Sequence, residues 1–232
     1  MEVRANEAVP VEDQPENEDL VLHHLDLQPS LQQLFDGLHP SCTQRKIKRA
    51  AREELSYEEG TSESLLHDFY RLLVITRRRH GVPPQPFQWF LNLAAHLKDS
   101  MKLRAAYKDG KPIASILTLR YKQTMMYKYG CLDDRFSAMG GTQFLFWHTI
   151  QEAKSAGLSF LDLGRTDVAN AGLLKFKDRW GAARTNLHYY QYPVGTANTV
   201  KVIQTNLVKA LCSHLPVGVL EVAGKVLYKY AH

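Results

Sequence analysis

Residues 160–181 read FLDLGRTDVANAGLLKFKDRWG, and they combine apolar patterning, glycines and clustered positive charge. A short apolar strand is predicted over residues 158–163, followed by a break at Gly164-Arg165. A loop with a second glycine, Gly172, leads into a short helix that carries three cations among large apolar residues. A strand end, a glycine break and a cation cluster together predict a positively charged site at the rim of a sheet.

The charge of the chain is unevenly distributed. The net charge is +5, yet the first nineteen residues contain seven acidic residues and one arginine, which makes them −6 and the remainder +11. The acidic tail has few apolar residues, so we expect residues 1–19 to be disordered. A basic body favours an anionic partner such as RNA or a phosphate-bearing cofactor, and a solvated basic surface is the alternative.

Cysteine usage and hydropathy restrict the cellular compartment that the sequence favours. The three cysteines are far apart and form neither a zinc motif nor a disulfide framework, so we expect no metal. The acidic start is unlike a secretory signal, and no apolar run reaches the ~20 residues that cross a bilayer. These features favour a cytoplasmic protein.

The element order predicts a mixed α/β fold. Helices are expected over 30–38, over the basic stretch 41–55, over 62–80 and over 87–97. A meander follows, with strands at 103–107, 113–119 and 125–129; Asp109-Gly110 favours a type I′ turn, and Tyr121 to Thr124 a longer turn. A helix over 143–156, the strand at 158–163, the cationic segment, a strand over 185–192 and amphipathic helices over 197–214 and 216–230 complete the chain. Such an order gives a mostly antiparallel sheet flanked by helices.

A set of motifs in this order resembles the FemAB-like branch of the GNAT acyltransferase fold, over about residues 30–230. The motifs are Arg79-His80-Gly81-Val82-Pro83, Tyr127-Lys128-Tyr129-Gly130, Trp147, Ala153, Asp162-Leu163-Gly164-Arg165, Gly172, Phe176-Lys177, Trp180-Gly181 and His188-Tyr189-Tyr190. FemAB-like proteins are peptidyl or aminoacyl transferases, and they usually contain two GNAT-like halves. Only the second half is evident here. The expected organisation is a disordered tail (1–19), a remnant of the first half with the basic helix (20–60), a GNAT-like domain (61–193) and C-terminal amphipathic helices (194–232).

The resemblance implies the residues of a transfer site. Lys177 would neutralise donor phosphate or developing negative charge, and Phe176, Tyr127 and Tyr129 would bind substrate. The pattern Arg-x-x-Ala-x-Gly at Arg135 to Gly140 resembles the GNAT turn that binds coenzyme A pyrophosphate at a helix N-terminus, so Arg135, Gly140 and Gly141 are the candidate cofactor-binding residues. A simple turn into the helix is the alternative.

Local geometry adds to these assignments. On a helix Phe176 and Trp180 share a face and anchor the segment, so Lys177 is displaced towards a cleft or solvent. Arg165 follows a strand end and Asp162 precedes it, and both are candidate catalytic residues. The alternatives are a solvated lysine, a structural Asp162–Arg165 pair and an aromatic ladder at the two tyrosines.

The predicted function is N-acyl transfer to an amine. The donor would be acyl-CoA or aminoacyl-tRNA, without a metal, and the acceptor amine would belong to cell-wall or exopolysaccharide synthesis. One alternative is a non-catalytic half-domain that binds RNA or a partner protein. Another is a homodimer that restores a two-half cleft.

Overall fold

A seven-stranded mixed sheet forms the framework of the chain. The structure is a computed structural model that describes residues 2–5, 20–191 and 212–230. The strands are β1 (Glu2–Ala5), β2 (Leu20–Asp26), β3 (Ser56–Gly60), β4 (Met101–Lys108), β5 (Lys111–Tyr121), β6 (Thr124–Leu132), β7 (Phe160–Asp167), β8 (Ala183–Asn186) and β9 (His188–Gln191). The helices are α1 (Leu31–Asp36), α2 (Arg45–Arg52), α3 (Glu63–Arg79), α4 (Phe87–Leu97), α5 (Gly141–Ser155), α6 (Ala171–Asp178) and α7 (Val217–Tyr230).

The sheet has the strand order β3-β4-β5-β6-β7-β2-β8. β2 pairs antiparallel with both β7 and β8, as do β3 with β4 and β4 with β5. β6 and β7 pair in parallel. The predicted fold class, a mixed and mostly antiparallel sheet flanked by helices, is confirmed.

Local sequence signals explain several of these elements. Ser62 caps α3 by accepting a hydrogen bond from the Leu65 N–H at 3.3 Å, which satisfies one of the amides that a helix start leaves open. Asp109 and Gly110 both have positive φ, at 50° and 71°, as a type I′ hairpin turn between β4 and β5 requires. The predicted helix over 62–80 and the predicted turn are confirmed. The turn after β5 is shorter than expected, because β5 ends at Tyr121 and β6 begins at Thr124.

The chain divides into two compact units. In its described residues the first comprises 2–5, 20–44, 121–127 and 150–191, and the second comprises 45–120, 128–149 and 212–230. Aromatic edge-to-face contacts characterise the core of the second unit: the rings of Phe69 and Phe90 lie 5.1 Å apart, and those of Phe90 and Tyr129 lie 5.4 Å apart. Within the described ranges, no helix is long and apolar enough to span a bilayer.

The N-terminal part of the chain differs most from expectation. Glu2–Ala5 form β1, which pairs with β9, so the prediction of disorder is wrong for these four residues; residues 6–19 lie outside the described ones. Residues 20–60 supply β2 and β3 to the sheet; that they are the remnant of a first half stays a prediction. The strand expected over 185–192 is two short strands, β8, which pairs with β2, and β9, which pairs with β1. Most of the helix expected over 197–214 lies outside the described residues.

Gly140 is required by close packing at the start of α5. It has a φ of 82°, and a Cβ there would lie 2.3 Å from the Lys46 carbonyl oxygen of α2. Gly157, which follows α5 at its other end, has a φ of 70° but open space around it. A substitution at Gly157 therefore measures the cost of the backbone conformation alone, whereas a substitution at Gly140 adds the cost of a steric clash.

We predict that Gly140→Ala lowers the free energy of unfolding by about 3 kcal/mol or more, because left-handed strain and overpacking add. Gly157→Ala, which meets only the strain, should cost about 1 kcal/mol. Urea denaturation of both variants measures the difference. Equal losses would show that the contact with Lys46 is not constraining.

Candidate active site

The candidate site is built on a β-bulge in β7. Leu22 pairs with Arg165 and His24 with Asp162, so Leu163 and Gly164 together oppose the single residue between Leu22 and His24. Gly164 has a φ of 76°, a conformation that glycine adopts without strain. The prediction that the strand ends before Gly164 is therefore wrong, because the bulge absorbs the extra residue and pairing with β2 resumes at Arg165.

Asp162 holds the bulge in place. Its side chain is 7% exposed, and its Oδ1 accepts a hydrogen bond from the Gly164 N–H at 2.6 Å. The parallel register of β6 with β7 runs from Thr124 opposite Phe160 to Met126 opposite Asp162. The bulge thus begins directly after the last of these pairs, and there the regular alternation of the β7 backbone is interrupted.

Lys177 lies beneath this bulge. Although it belongs to the short helix α6, it is only 3% exposed, and its Nζ donates to the carbonyl oxygens of Gly164 at 2.7 Å and Arg165 at 3.0 Å. Burial lowers the pKa of Lys177 from 10.5 to about 8, and the Asp162 carboxylate offsets part of that effect. The solvated alternative is wrong: the ammonium is buried on backbone oxygens.

The predicted anchor of α6 is confirmed. Trp180 is 1% exposed, and its ring lies edge-on to that of Phe176 with the centroids 6.5 Å apart. The side chain of Arg165 is exposed. The bulged segment of β7 therefore carries both the buried carboxylate of Asp162 and the exposed guanidinium of Arg165. The structure brings Asp162, Arg165 and Lys177 together; their catalytic roles, and substrate binding by Phe176, stay predictions.

Three further charged or polar residues adjoin this cluster and were not expected. His23 of β2 is fully buried, and its Nε2 lies 3.3 Å from Asp178 Oδ1. Asp178 also accepts a bidentate pair of hydrogen bonds from the Arg184 guanidinium of β8. The signal for His23 was present in LVLHHLD: strand alternation places it on the same buried face as Val21 and Leu25.

The two tyrosines of β6 do not behave alike. Tyr129 packs against Phe69 and Phe90, and Gln85 donates a hydrogen bond to its hydroxyl at 3.3 Å. It therefore contributes to the aromatic core of the second unit, as the alternative of a structural aromatic predicted. Tyr127 adjoins the bulge through its backbone, since its carbonyl oxygen lies 3.9 Å from the position of a Cβ on Gly164.

The residues predicted to bind coenzyme A have structural contacts of their own. The Arg135 guanidinium makes a bidentate pair with Asp133, at 2.6 Å for its shortest bond, and lowers the pKa of that carboxyl. A Cβ on Gly141 would lie 3.1 Å from the Ala114 side chain, and Gly140 abuts Lys46 as described above. Binding of coenzyme A by Arg135, Gly140 and Gly141 stays a prediction.

Charged and polar side chains could form two other kinds of site, a metal site and a basic surface. Across the described part of the chain, no group of three or more His, Cys, Asp or Glu side chains is placed to hold a metal ion. The basic helix α2 buries Ile47 and Ala50 and exposes four of its cations, namely Arg45, Lys48, Arg49 and Arg52. These four cations thus face outwards, and Arg49 pairs with Glu53 at 3.1 Å.

With this geometry in place, comparison with known proteins identifies the family. Residues 42–178 match the family described as "Acetyltransferase (GNAT) domain", which is more than half of the chain. The chain belongs to the GNAT acetyltransferase-domain family. The predicted family resemblance is thereby confirmed, and the mixed sheet with a parallel pair at the bulge is the form that the GNAT fold takes in this member.

The likeness to Fem-type transferases is confirmed by a curated relative. A UDP-N-acetylmuramoylpentapeptide-lysine N(6)-alanyltransferase of Weissella viridescens is 29% identical over 123 residues, which cover 47% of this chain and 37% of that protein. The match with this chain thus spans little more than a third of the curated relative.

Solved structures agree on the fold. The crystal structure of FemX has a TM-score of 0.66 at 13% identity, covering 80% of this chain and 64% of that chain. L-PGS from Bacillus licheniformis has a TM-score of 0.56 at 14% identity, covering 87% and 67% respectively. At such low identity these likenesses concern the fold alone.

The buried lysine predicts a specific pH dependence of stability. Because the pKa of Lys177 is about 8 in the folded protein and ordinarily 10.5, the unfolded chain binds this proton more tightly. The free energy of unfolding of the wild type should therefore rise, relative to Lys177→Met, between pH 8 and pH 10.5. Urea denaturation of both proteins across this range measures it. A constant difference between the two would contradict the buried, destabilised ammonium.

Proposed function

We propose that this protein transfers an aminoacyl group from aminoacyl-tRNA to an amine, with the bulge of β7 as the reacting centre. The observation that carries the proposal is the Lys177 ammonium buried against the carbonyl oxygens of Gly164 and Arg165. A buried positive charge acts strongly, because the low local dielectric screens it little. Family membership supports group transfer to an amine.

The chemistry follows from direct attack. The acceptor amine adds to the ester carbonyl of the donor, a C–N bond forms, and the carbonyl oxygen becomes an oxyanion in the tetrahedral intermediate. Collapse of the intermediate breaks the C–O bond, and the proton lost by the amine passes to the departing ribose oxygen. Preorganised positive charge near the oxyanion lowers the barrier to the addition step.

The residues of the site divide these tasks. Two of the three N–H donors of Lys177 bind backbone carbonyls, so the third, together with its charge, serves the oxyanion. The exposed Arg165 guanidinium neutralises phosphate on donor or acceptor. Asp162 maintains the bulge and, as the carboxylate whose charge acts on Lys177, orients the incoming amine. Phe176 and Tyr127 would border the substrate.

Two observations favour aminoacyl-tRNA over acyl-CoA as the donor. The curated relative is named an alanyltransferase, and the turn from Arg135 to Gly141 has structural contacts that explain its glycines without pyrophosphate. The relative's name also supports an acceptor that is the lysine amine of a cell-wall precursor. An aminoacyl-tRNA donor is made in the cytoplasm, and the proposal places the reaction there.

A transfer assay tests this function. Alanyl-tRNA or acetyl-CoA is offered as donor, with UDP-N-acetylmuramoyl pentapeptide as acceptor, and products are measured by mass spectrometry. We expect transfer from alanyl-tRNA, a fall in kcat of about 10²-fold or more in Lys177→Met, and a smaller loss in Arg165→Ala. Lys175→Met, an exposed cation on the same helix, is the matched control and should remain close to wild type.

The other outcomes are equally informative. Transfer from acetyl-CoA alone would contradict the donor assignment, and unchanged rates in both site variants would contradict the site. Salt-dependent tRNA binding without turnover would indicate the non-catalytic alternative, in which the chain only holds RNA. Light scattering at assay concentration decides whether a homodimer is the acting form.

A further inference from the structure

His23 is the buried group that the proposed reaction leaves without a role. It occupies β2 directly opposite the bulge, between Leu22, which pairs with Arg165, and His24, which pairs with Asp162. Across the other edge of β2 it pairs with Arg184. The histidine is therefore flanked on one side by the strand that carries the bulge and on the other by the arginine that binds Asp178.

Two adjacent residues of α6 are held by this arrangement. Lys177 reaches the carbonyl oxygens of the bulge, and Asp178, the next residue, is shared between His23 at 3.3 Å and the Arg184 guanidinium. The last turn of α6 is thus fastened to three neighbouring strands: β7 through Lys177, and β2 and β8 through Asp178. A helix of eight residues has little stability of its own, so these bonds determine where its end lies.

The bonds that Lys177 and Asp178 make to β7, β2 and β8 form a clamp on the end of α6. The charge state of His23 affects this clamp. The groups that act on it are Lys177 and Asp178 from α6 and Arg184 from β8; burial lowers its pKa most, Lys177 and Arg184 lower it further, and Asp178 opposes them. On β7, Asp162 and Arg165 flank the bulge that faces it. The neutral ring donates from Nε2 to Asp178, and its buried Nδ1 has no hydrogen-bond partner among the described residues.

We propose that His23 is a positioning residue for Lys177: as a neutral imidazole it anchors Asp178, and so fixes the turn of α6 from which Lys177 reaches the bulge. Protonation would add a third cation beside Lys177 and Arg184 and leave a buried Nδ1–H without an acceptor, which is costly. The clamp then loosens, and Lys177 leaves the Gly164 and Arg165 carbonyls. Only the kinetic part of the test depends on the proposed transfer function.

The experiment observes Lys177 directly by NMR of protein labelled with [ε-¹³C]lysine, with the Lys177 signal assigned by its loss in Lys177→Met. His23→Gln retains a donor near the position of Nε2 but cannot titrate. We expect the wild-type Lys177 signal to show two inflections: its own titration, and a second below pH 6.5 from His23. The second inflection should be absent from His23→Gln, while the first remains near pH 8.

His23→Leu removes the anchor and provides the complementary test. With the last turn of α6 released, water reaches Nζ, and the pKa of Lys177 should rise towards 10.5. Identical Lys177 titrations in wild type, His23→Gln and His23→Leu would overturn the proposal. If His23→Leu fails to fold, the presence or absence of the acid inflection in His23→Gln still decides it.

Kinetics give a separate readout once transfer is established. Wild-type kcat should fall as the pH drops below 6.5 and His23 takes up a proton, whereas kcat of His23→Gln should stay within about 2-fold of its neutral value. A parallel acid decline in both proteins would overturn the kinetic role. Because the NMR titration needs no turnover, a lack of activity would count against the proposed function and not against the role of His23.

Discussion

A lysine ammonium buried under a strand bulge is the interaction on which the rest of the candidate site depends. The left-handed conformation of Gly164 admits one extra residue into β7, and the Asp162 carboxylate holds that residue by its N–H. The two carbonyl oxygens that follow then converge on Lys177. Without the bulge, alternation along the strand would direct successive carbonyls to opposite edges, and the ammonium would have no pair of acceptors.

Apart from the exposed Arg165, the charges around this centre balance. Lys177 and Arg184 supply two cations, Asp162 and Asp178 supply two carboxylates, and His23 adds none while it is neutral. Desolvating ions is expensive unless each has a partner of opposite sign and hydrogen bonds to satisfy it. The balance explains how a short helix and three strand segments hold so many ionisable groups close together. It also leaves Lys177 with a pKa of about 8, which makes its charge responsive to modest changes in its surroundings.

Much of the framework was predictable because its signals are local. The capping of α3 by Ser62, the Asp109-Gly110 turn and the pairing of Phe176 with Trp180 depend on residues within a few positions of one another. The bulge was not predictable, since a glycine after an apolar run reads equally well as the end of a strand. Likewise His23 and Arg184 are 161 positions apart in sequence, and only the strand order β7-β2-β8 shows that they meet at Asp178.

The position of β2 also affects how a shortened form of the protein would behave. The family match begins at residue 42, whereas β2 ends at Asp26. A fragment cut to the matched region, residues 42–178, would lack both β2 and β8, and β7 would become an unprotected edge with its hydrogen-bonding groups open to other chains. Such a fragment would keep Lys177 and Asp178 yet be prone to self-association, so similarity-based boundaries understate the folding unit of this chain.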